Sequence, residues 1–169
     1  MQRKQNPAHE KDPLLSIMEK AMAEELKARD FYKKMSKQLE DKAARNKFDI
    51  MSDTENRHYE IIKKWYEKHY GQSAKTKKLN AGRALKVKKP GEKASYEDII
   101  KIIIDAEERA HEFYKAAAKK TKDKQAKELF KKLSDMERAH ADQFKDEYRI
   151  VTGPSLQCAE EDIPWMLEV

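Results

Sequence analysis

The sequence contains one cysteine, four glycines and five prolines in 169 residues, and each scarcity excludes a class of structure. The single thiol, Cys158, cannot form a disulfide framework or a four-cysteine metal site within the chain. Few chain-breaking residues beside abundant Lys, Glu and Ala favour long helices over sheets. No apolar run approaches the roughly 20 residues that span a bilayer. We therefore expect a helical cytoplasmic protein without a membrane segment.

Charged residues make up 40% of the sequence, and the formal net charge is +6. Such an excess makes a nucleic-acid partner worth considering. The excess is partly local, because the stretch from Lys75 to Lys93 contains many basic residues and a single acid, Glu92. Lysines without interleaved aromatic residues or a reading-helix motif are more often a solvated loop. A basic nucleic-acid-binding scaffold is therefore the weakest of the functional alternatives.

The main organising feature is an internal repeat, which is seen when residues 17–71 are laid over residues 99–153 without gaps. The matching residues are Glu25 with Glu107, Phe31-Tyr32 with Phe113-Tyr114, Asp41 with Asp123, Ser52 with Ser134, Glu55 with Glu137, His58 with His140 and Gly71 with Gly153. A match driven by composition alone would not keep such different residue types in one register. The sequence therefore predicts two copies of one unit, related by a pseudo-twofold axis.

Each unit has the pattern of a helical hairpin, with apolar residues at steps of three and four on two consecutive segments. In the first unit, a helix is predicted from about Pro13 to Leu39. The second helix follows Asp41, a candidate N-cap, and runs to about Tyr70, where Gly71 ends it.

The second unit repeats this pattern, with Ser95 as the N-cap, a break near Asp123 and an end at Gly153-Pro154. Residues 72–94 between the units are too long for a tight turn and are predicted to form a crossover. We therefore predict an all-α four-helix bundle over residues 13–153. A polar segment, residues 1–12, precedes it, and an acidic tail, residues 154–169, follows it.

Ionisable residues interrupt the centres of all four apolar stripes. They are Glu25, Glu55, His58, Glu107, Glu137 and His140. Burying each charge costs several kcal/mol, and like charges repel, so either cations or protons must compensate. Four carboxylates balance two divalent ions, and this mixture of oxygen and nitrogen ligands suits iron, manganese or zinc.

The spacing of these residues matters more than their number. A lone Glu-x-x-His is weak support for a site in a Glu-rich chain, and Glu108-x-x-His111 occurs here as well. Two such pairs at the same repeat position, each with a Glu in the preceding helix, are far more specific. One Glu from each of two helices and Glu-x-x-His from each of the others is the known ligand pattern of ferritin-like di-iron bundles, to which we match this chain.

At these residues the sequence resembles the rubrerythrin branch of the ferritin-like superfamily, over about Leu14 to Val151. The resemblance implies two iron ions, which manganese or zinc can replace, with Glu55 and Glu137 bridging them. The remaining implied roles are Glu25 with His58 on one metal, Glu107 with His140 on the other, and Tyr32 and Tyr114 as hydrogen-bond donors to the ligand carboxylates. Ordinary core aromatics are the alternative for the tyrosines.

The resemblance also implies an activity, the reduction of hydrogen peroxide or O2, with ferroxidase chemistry or non-enzymatic iron binding and sensing as alternatives.

Rubrerythrins carry a further Glu where this chain has Ala110, so the site looks symmetric. His111, one turn after Glu107, is a substitute ligand, a hydrogen-bond donor to a ligand, or a partly exposed histidine. With one cysteine the chain cannot build a rubredoxin domain, so we expect a separate electron-donor protein. We also expect a homodimer.

Overall fold

The computed structural model describes residues 12–71 and 95–153. Within these ranges it contains four helices and no strand. They are α1, Pro13–Gln38; α2, Lys42–Tyr70; α3, Tyr96–Lys120; and α4, Lys124–Thr152. The predicted all-α four-helix bundle is confirmed. The polar N-terminal segment up to residue 11, the crossover 72–94 and the tail with Cys158 lie outside the described residues. None of the described helices is long and apolar enough to cross a membrane.

Side-chain caps fix where the helices begin. Asp41 before α2 and Asp123 before α4 each accept a hydrogen bond from the backbone N–H three residues on, at 2.7 Å. Ser95 forms a capping box with Asp98 at the start of α3. Such caps satisfy backbone donors that the helix leaves free, and each is worth about 1 kcal/mol.

The two glycines that the repeat aligns end their helices differently. Gly71 after α2 has a φ of 62°, in the left-handed region that glycine favours. Gly153 after α4 is extended, with φ −63° and ψ 157°. Pro154 follows Gly153, and a residue before proline is held in extended conformations by the proline ring. The aligned positions therefore share a role but not a conformation.

Each hairpin is tied by a serine at the same repeat position. The Ser52 hydroxyl in α2 donates to the carbonyl oxygen of Arg29 in α1 at 3.1 Å. The Ser134 hydroxyl in α4 donates to the carbonyl oxygen of His111 in α3 at 3.2 Å. The repeated serines thus set the same register within both helix pairs.

Contacts between the hairpins show how they face each other. Lys47 near the start of α2 pairs with Glu147 near the end of α4, and Tyr96 at the start of α3 donates to the same carboxylate. At the other end of the bundle, Tyr70 closes α2 and donates to Asp12. Helices α2 and α3 therefore run in the same direction, as the predicted crossover connection requires.

Two apolar clusters fill the bundle, one towards each end. The first includes Met18, Ile62 and Phe130, and the second includes Phe48 and Phe144, all fully buried. Burial of each such side chain stabilises the fold by about 1.5–3 kcal/mol. The layer between the clusters is ionisable and mostly buried, and it forms the site described next.

Candidate metal centre

Six ionisable side chains from all four helices meet in the layer between the apolar clusters. Their ligand-type atoms form two groups, in each of which the atoms lie within 4.8 Å of one another. One group is Glu25, Glu55, His58 and Glu137; the other is Glu55, Glu107, Glu137 and His140. The structure thus brings all six sequence-predicted ligand residues together. Glu55 and Glu137 belong to both groups.

In the first group, three carboxylates surround His58, whose side chain is fully buried. Its Nδ1 lies 3.1 Å from Glu137 Oε1 and 3.3 Å from Glu25 Oε2. The third carboxylate oxygen, Glu55 Oε2, is 3.5 Å away. One imidazole nitrogen and three carboxylates therefore converge on one small volume.

The second group repeats this arrangement around His140, whose side chain is 14% exposed. Its Nδ1 lies 3.3 Å from Glu137 Oε2, 3.6 Å from Glu55 Oε1 and 3.7 Å from Glu107 Oε2. Glu137 and Glu55 each turn one oxygen towards His58 and the other towards His140. This is the orientation that a carboxylate needs in order to bridge two ions.

Most of the inward-facing atoms have no hydrogen-bond partner. They are Glu25 Oε2, Glu55 Oε1, both ring nitrogens of His58, both oxygens of Glu137 and Nδ1 of His140. An unpaired buried polar group costs about 1–3 kcal/mol, and a charged one costs more. Donor atoms about 2.0–2.2 Å from one ion, as in zinc sites, lie at most about 4.4 Å apart, which is close to the observed spacing. The residues therefore fit a pair of metal ions.

The pKa values of the ionisable residues in the layer also indicate a site for positive charge. Burial, reinforced by repulsion between carboxylates, raises the pKa of Glu55 well above its usual value and that of Glu137 to about 7. Burial alone would lower the histidine pKa values, but the surrounding carboxylates raise the pKa of His58 to about 12 and that of His140 to about 9. Burial also opposes ionisation of Glu107, yet His140 beside it lowers the Glu107 pKa. The layer therefore holds positive charge tightly, carried either by protons or by metal ions.

Two buried tyrosines orient the outer carboxylates. The Tyr32 hydroxyl in α1 donates to Glu107 Oε1 in α3, and the Tyr114 hydroxyl in α3 donates to Glu25 Oε1 in α1. Each bond crosses from one hairpin to the other and leaves Oε2 facing the site. Burial raises both tyrosine pKa values well above the usual range, so the hydroxyls stay protonated and can donate. Such bonds fix ligand orientation.

His111 belongs to neither ligand group. Its Nδ1 lies 2.8 Å from the carbonyl oxygen and 2.9 Å from the hydroxyl of Ser134. Glu108 is paired with Lys145 at 2.8 Å, so the third Glu-x-x-His lies outside the centre. His111 thus joins α3 to α4, and the reading of it as a substitute ligand is not supported.

Sequence reasoning missed the residues around a small cavity between α1 and α3. Lys27, Ala28, Arg109 and Ala110 line it together with the ligand carboxylates. The sequence did contain an indication of this cavity, because the four residues match in the repeat. Alanine follows the ligand Glu25 by one turn in α1 and the ligand Glu107 by one turn in α3.

Comparison with known proteins identifies the family. The rubrerythrin family model matches residues 16–148, which is most of the chain. The chain belongs to the rubrerythrin family. The predicted resemblance is confirmed, and it places the protein in the ferritin-like di-iron superfamily.

A solved structure supports the same assignment. This rubrerythrin-family chain resembles a hypothetical protein from Pyrococcus furiosus with a TM-score of 0.64 and 26% sequence identity. The similarity covers 86% of this chain and 93% of the other. No curated protein matches the chain. With the family established, the buried carboxylate and histidine cluster fits a di-iron site.

Proposed function

We propose that this protein is a di-iron oxidoreductase that reduces hydrogen peroxide or O2. The observation that carries the proposal is the sharing of Glu55 and Glu137 between two ligand groups, each completed by one histidine. When bound, two iron ions would supply one electron each, so the oxidant takes up two electrons without release of a radical. Manganese or zinc could occupy the same ligands.

The side chains of the centre divide into holding and positioning roles. Glu55 and Glu137 would serve both metal ions, Glu25 and His58 would hold one ion, and Glu107 and His140 would hold the other. Tyr32 and Tyr114 act as positioning residues, because their hydroxyls fix the outer oxygens of Glu107 and Glu25. The apolar clusters shield the layer from water towards both ends of the bundle and so strengthen the electrostatic contacts inside it.

The electrons that leave the centre have to be replaced after each turnover. The sequence has one cysteine and cannot itself build a four-cysteine iron site. We therefore propose a separate, rubredoxin-like electron-donor protein as the partner, and a homodimer as the assembly.

Ferroxidase chemistry is the second candidate, and one observation favours it. The two ligand groups match residue for residue, and Ala110 stands where rubrerythrins carry a further Glu. In that case Fe(II) itself is the electron source and O2 the oxidant. Iron binding without turnover, as in a sensor, would leave the same ligands in place but show no turnover when an external reductant is supplied.

Metal content per chain, measured by elemental analysis after anaerobic Fe(II) loading, is the first test. Two irons per chain are expected. Stopped-flow absorbance then compares oxidation by peroxide with oxidation by O2. Faster oxidation of the bound iron by peroxide supports a peroxidase function, and faster oxidation by O2 favours a ferroxidase function. One metal or none would contradict the di-iron site and the mechanism together.

A further inference from the structure

The cavity between α1 and α3 opens onto the ligand layer. Its volume is about 50 Å³, and its walls include the carboxylates of Glu25, Glu55, Glu107 and Glu137. About 10–15 Å³ is enough to hold one water molecule. The cavity therefore accepts a few water-sized molecules, and a molecule inside it lies against the residues that would hold the metals.

Most lining residues are repeat partners of one another. The pairs are Glu25 with Glu107, Glu55 with Glu137, Lys27 with Arg109, and Ala28 with Ala110. The pseudo-twofold axis exchanges the members of each pair, so a cavity lined by such pairs lies on that axis. A small molecule in the cavity consequently lies beside carboxylates of both ligand groups, where it could take one electron from each metal.

Ala28 and Ala110 line the cavity at positions that are partly exposed to solvent. Both are only partly buried, although the ligands Glu25 and Glu107 one turn earlier on the same stripes are buried. A methyl side chain on each facing helix leaves a gap, whereas a branched side chain at either position would project into it.

The mouth of the cavity carries two cations. Lys27 lies 3.7 Å from Glu24, and Arg109 pairs with Asp105 on its own helix. The Nε of Arg109 is buried and has no hydrogen-bond partner. Each of these cations is paired with a carboxylate, so the two pairs place no net charge in the path of a neutral oxidant such as hydrogen peroxide.

We propose that this cavity is the access port through which the oxidant reaches the metal pair, and that Ala28 and Ala110 set its size limit. The inference rests on the proposed function and narrows its substrate to the smallest oxidants. Hydrogen peroxide passes, and hydroperoxides with a branched alkyl group are excluded.

The test uses full-length protein loaded with Co(II) and mixed rapidly with azide, with the ligand-field absorption of cobalt as the readout of the binding rate. Ala28→Leu and Ala110→Leu are the port variants. Ala116→Leu, at an exposed position on α3, is the matched control. Each port variant is expected to bind two Co(II) but to bind azide at least about tenfold more slowly, because a narrower port raises the barrier to entry. A tenfold lower rate is equivalent to about 1.4 kcal/mol. The control is expected to behave as wild type.

Valine variants at both positions replace the leucine variants if these fail to load cobalt. Equal azide-binding rates in wild type and in cobalt-loaded port variants would overturn the port and leave the di-metal function standing. An effect at only one of the two alanines would overturn the axial placement. Wild-type protein that does not load two Co(II) would overturn both proposals. Equal rates for hydrogen peroxide and tert-butyl hydroperoxide with Fe(II)-loaded wild type would refute the size limit.

Discussion

The sharing of ligands predicts two classes of metal-binding variant. Glu107 belongs to one ligand group, whereas Glu137 belongs to both. Glu107→Gln removes one anionic ligand from one group, so it is expected to leave one tightly bound metal per chain. Glu137→Gln removes a ligand from both groups, so it is expected to weaken both metals.

The size of the effect follows from the geometry. Loss of a hydrogen-bond partner outside the coordination sphere costs about 10–100-fold in metal affinity. Loss of a ligand atom itself should exceed about 100-fold, or about 2.8 kcal/mol. Glutamine keeps the side-chain volume, and Tyr32 can still donate to the amide oxygen at position 107. A loss of metal affinity in these variants therefore reflects the missing charge and ligand atom, because glutamine leaves no empty space in the layer.

Anaerobic calorimetric titration with Co(II), followed by elemental analysis after desalting, measures both classes. Glu108→Gln is the matched control, because Glu108 is the exposed neighbour of Glu107 on α3 and pairs with Lys145. The control should bind two metals as wild type does. Two tight metals in Glu107→Gln, or a loss in Glu137→Gln no greater than in Glu107→Gln, would refute the shared-ligand reasoning.

Three further predictions concern positioning, packing and protons. Tyr32→Phe leaves a buried carboxylate oxygen of Glu107 unpaired, so it should lower the free energy of unfolding, measured by chemical denaturation, by about 1.5–3 kcal/mol. It should also lower the affinity for one of the two metal ions, measured by Co(II) titration. Phe130→Ala empties a fully buried position, so it should cost about 3–5 kcal/mol in calorimetric stability. The pKa values of His58 and His140 are raised to about 12 and about 9, so in the metal-free protein both rings are imidazolium ions at neutral pH. A metal ion must displace one proton from each ring to bind its nitrogen. Metal affinity measured by titration should therefore fall by about tenfold per imidazole for each unit that pH is lowered below about 9.

Each of these predictions has an outcome that contradicts it. Unchanged metal affinity in Tyr32→Phe would show that the hydroxyl does not position its carboxylate. Phe130→Leu keeps most of the side chain and should cost less than Phe130→Ala, so equal losses would argue against tight packing there. Metal affinity that does not change between about pH 6 and pH 8 would mean that no proton leaves the centre on binding.

The sequence predicted those parts of the centre that depend on register along one helix. Glu55 and His58 share a helix face whatever the neighbouring helices do, and the repeat carries the same geometry to Glu137 and His140. The cap at Asp41 was likewise predicted, because a cap satisfies donors of its own helix, and its repeat partner Asp123 caps α4 in the same way.

Other features depend on which helix faces which, and local patterns do not contain that information. The pairing of Tyr32 with Glu107 and of Tyr114 with Glu25 joins α1 to α3, far apart in the chain. The cavity beside Ala110 likewise exists only because α1 and α3 lie side by side. His111 has the spacing of a ligand, but its position opposite Ser134 decides its contacts.

The composition of each ligand group has an evolutionary consequence. One hairpin supplies Glu25, Glu55 and His58, and the group they form is completed by Glu137 from the other hairpin. Neither hairpin alone therefore completes a group, yet two identical copies of one hairpin would present the full set about a true twofold axis. The centre has the form expected of an ancestral homodimer of a short hairpin whose single gene later duplicated and fused. After fusion, positions outside the ligand groups can diverge, as Arg29 and its repeat partner His111 have done. The ligand residues remain identical in the two hairpins.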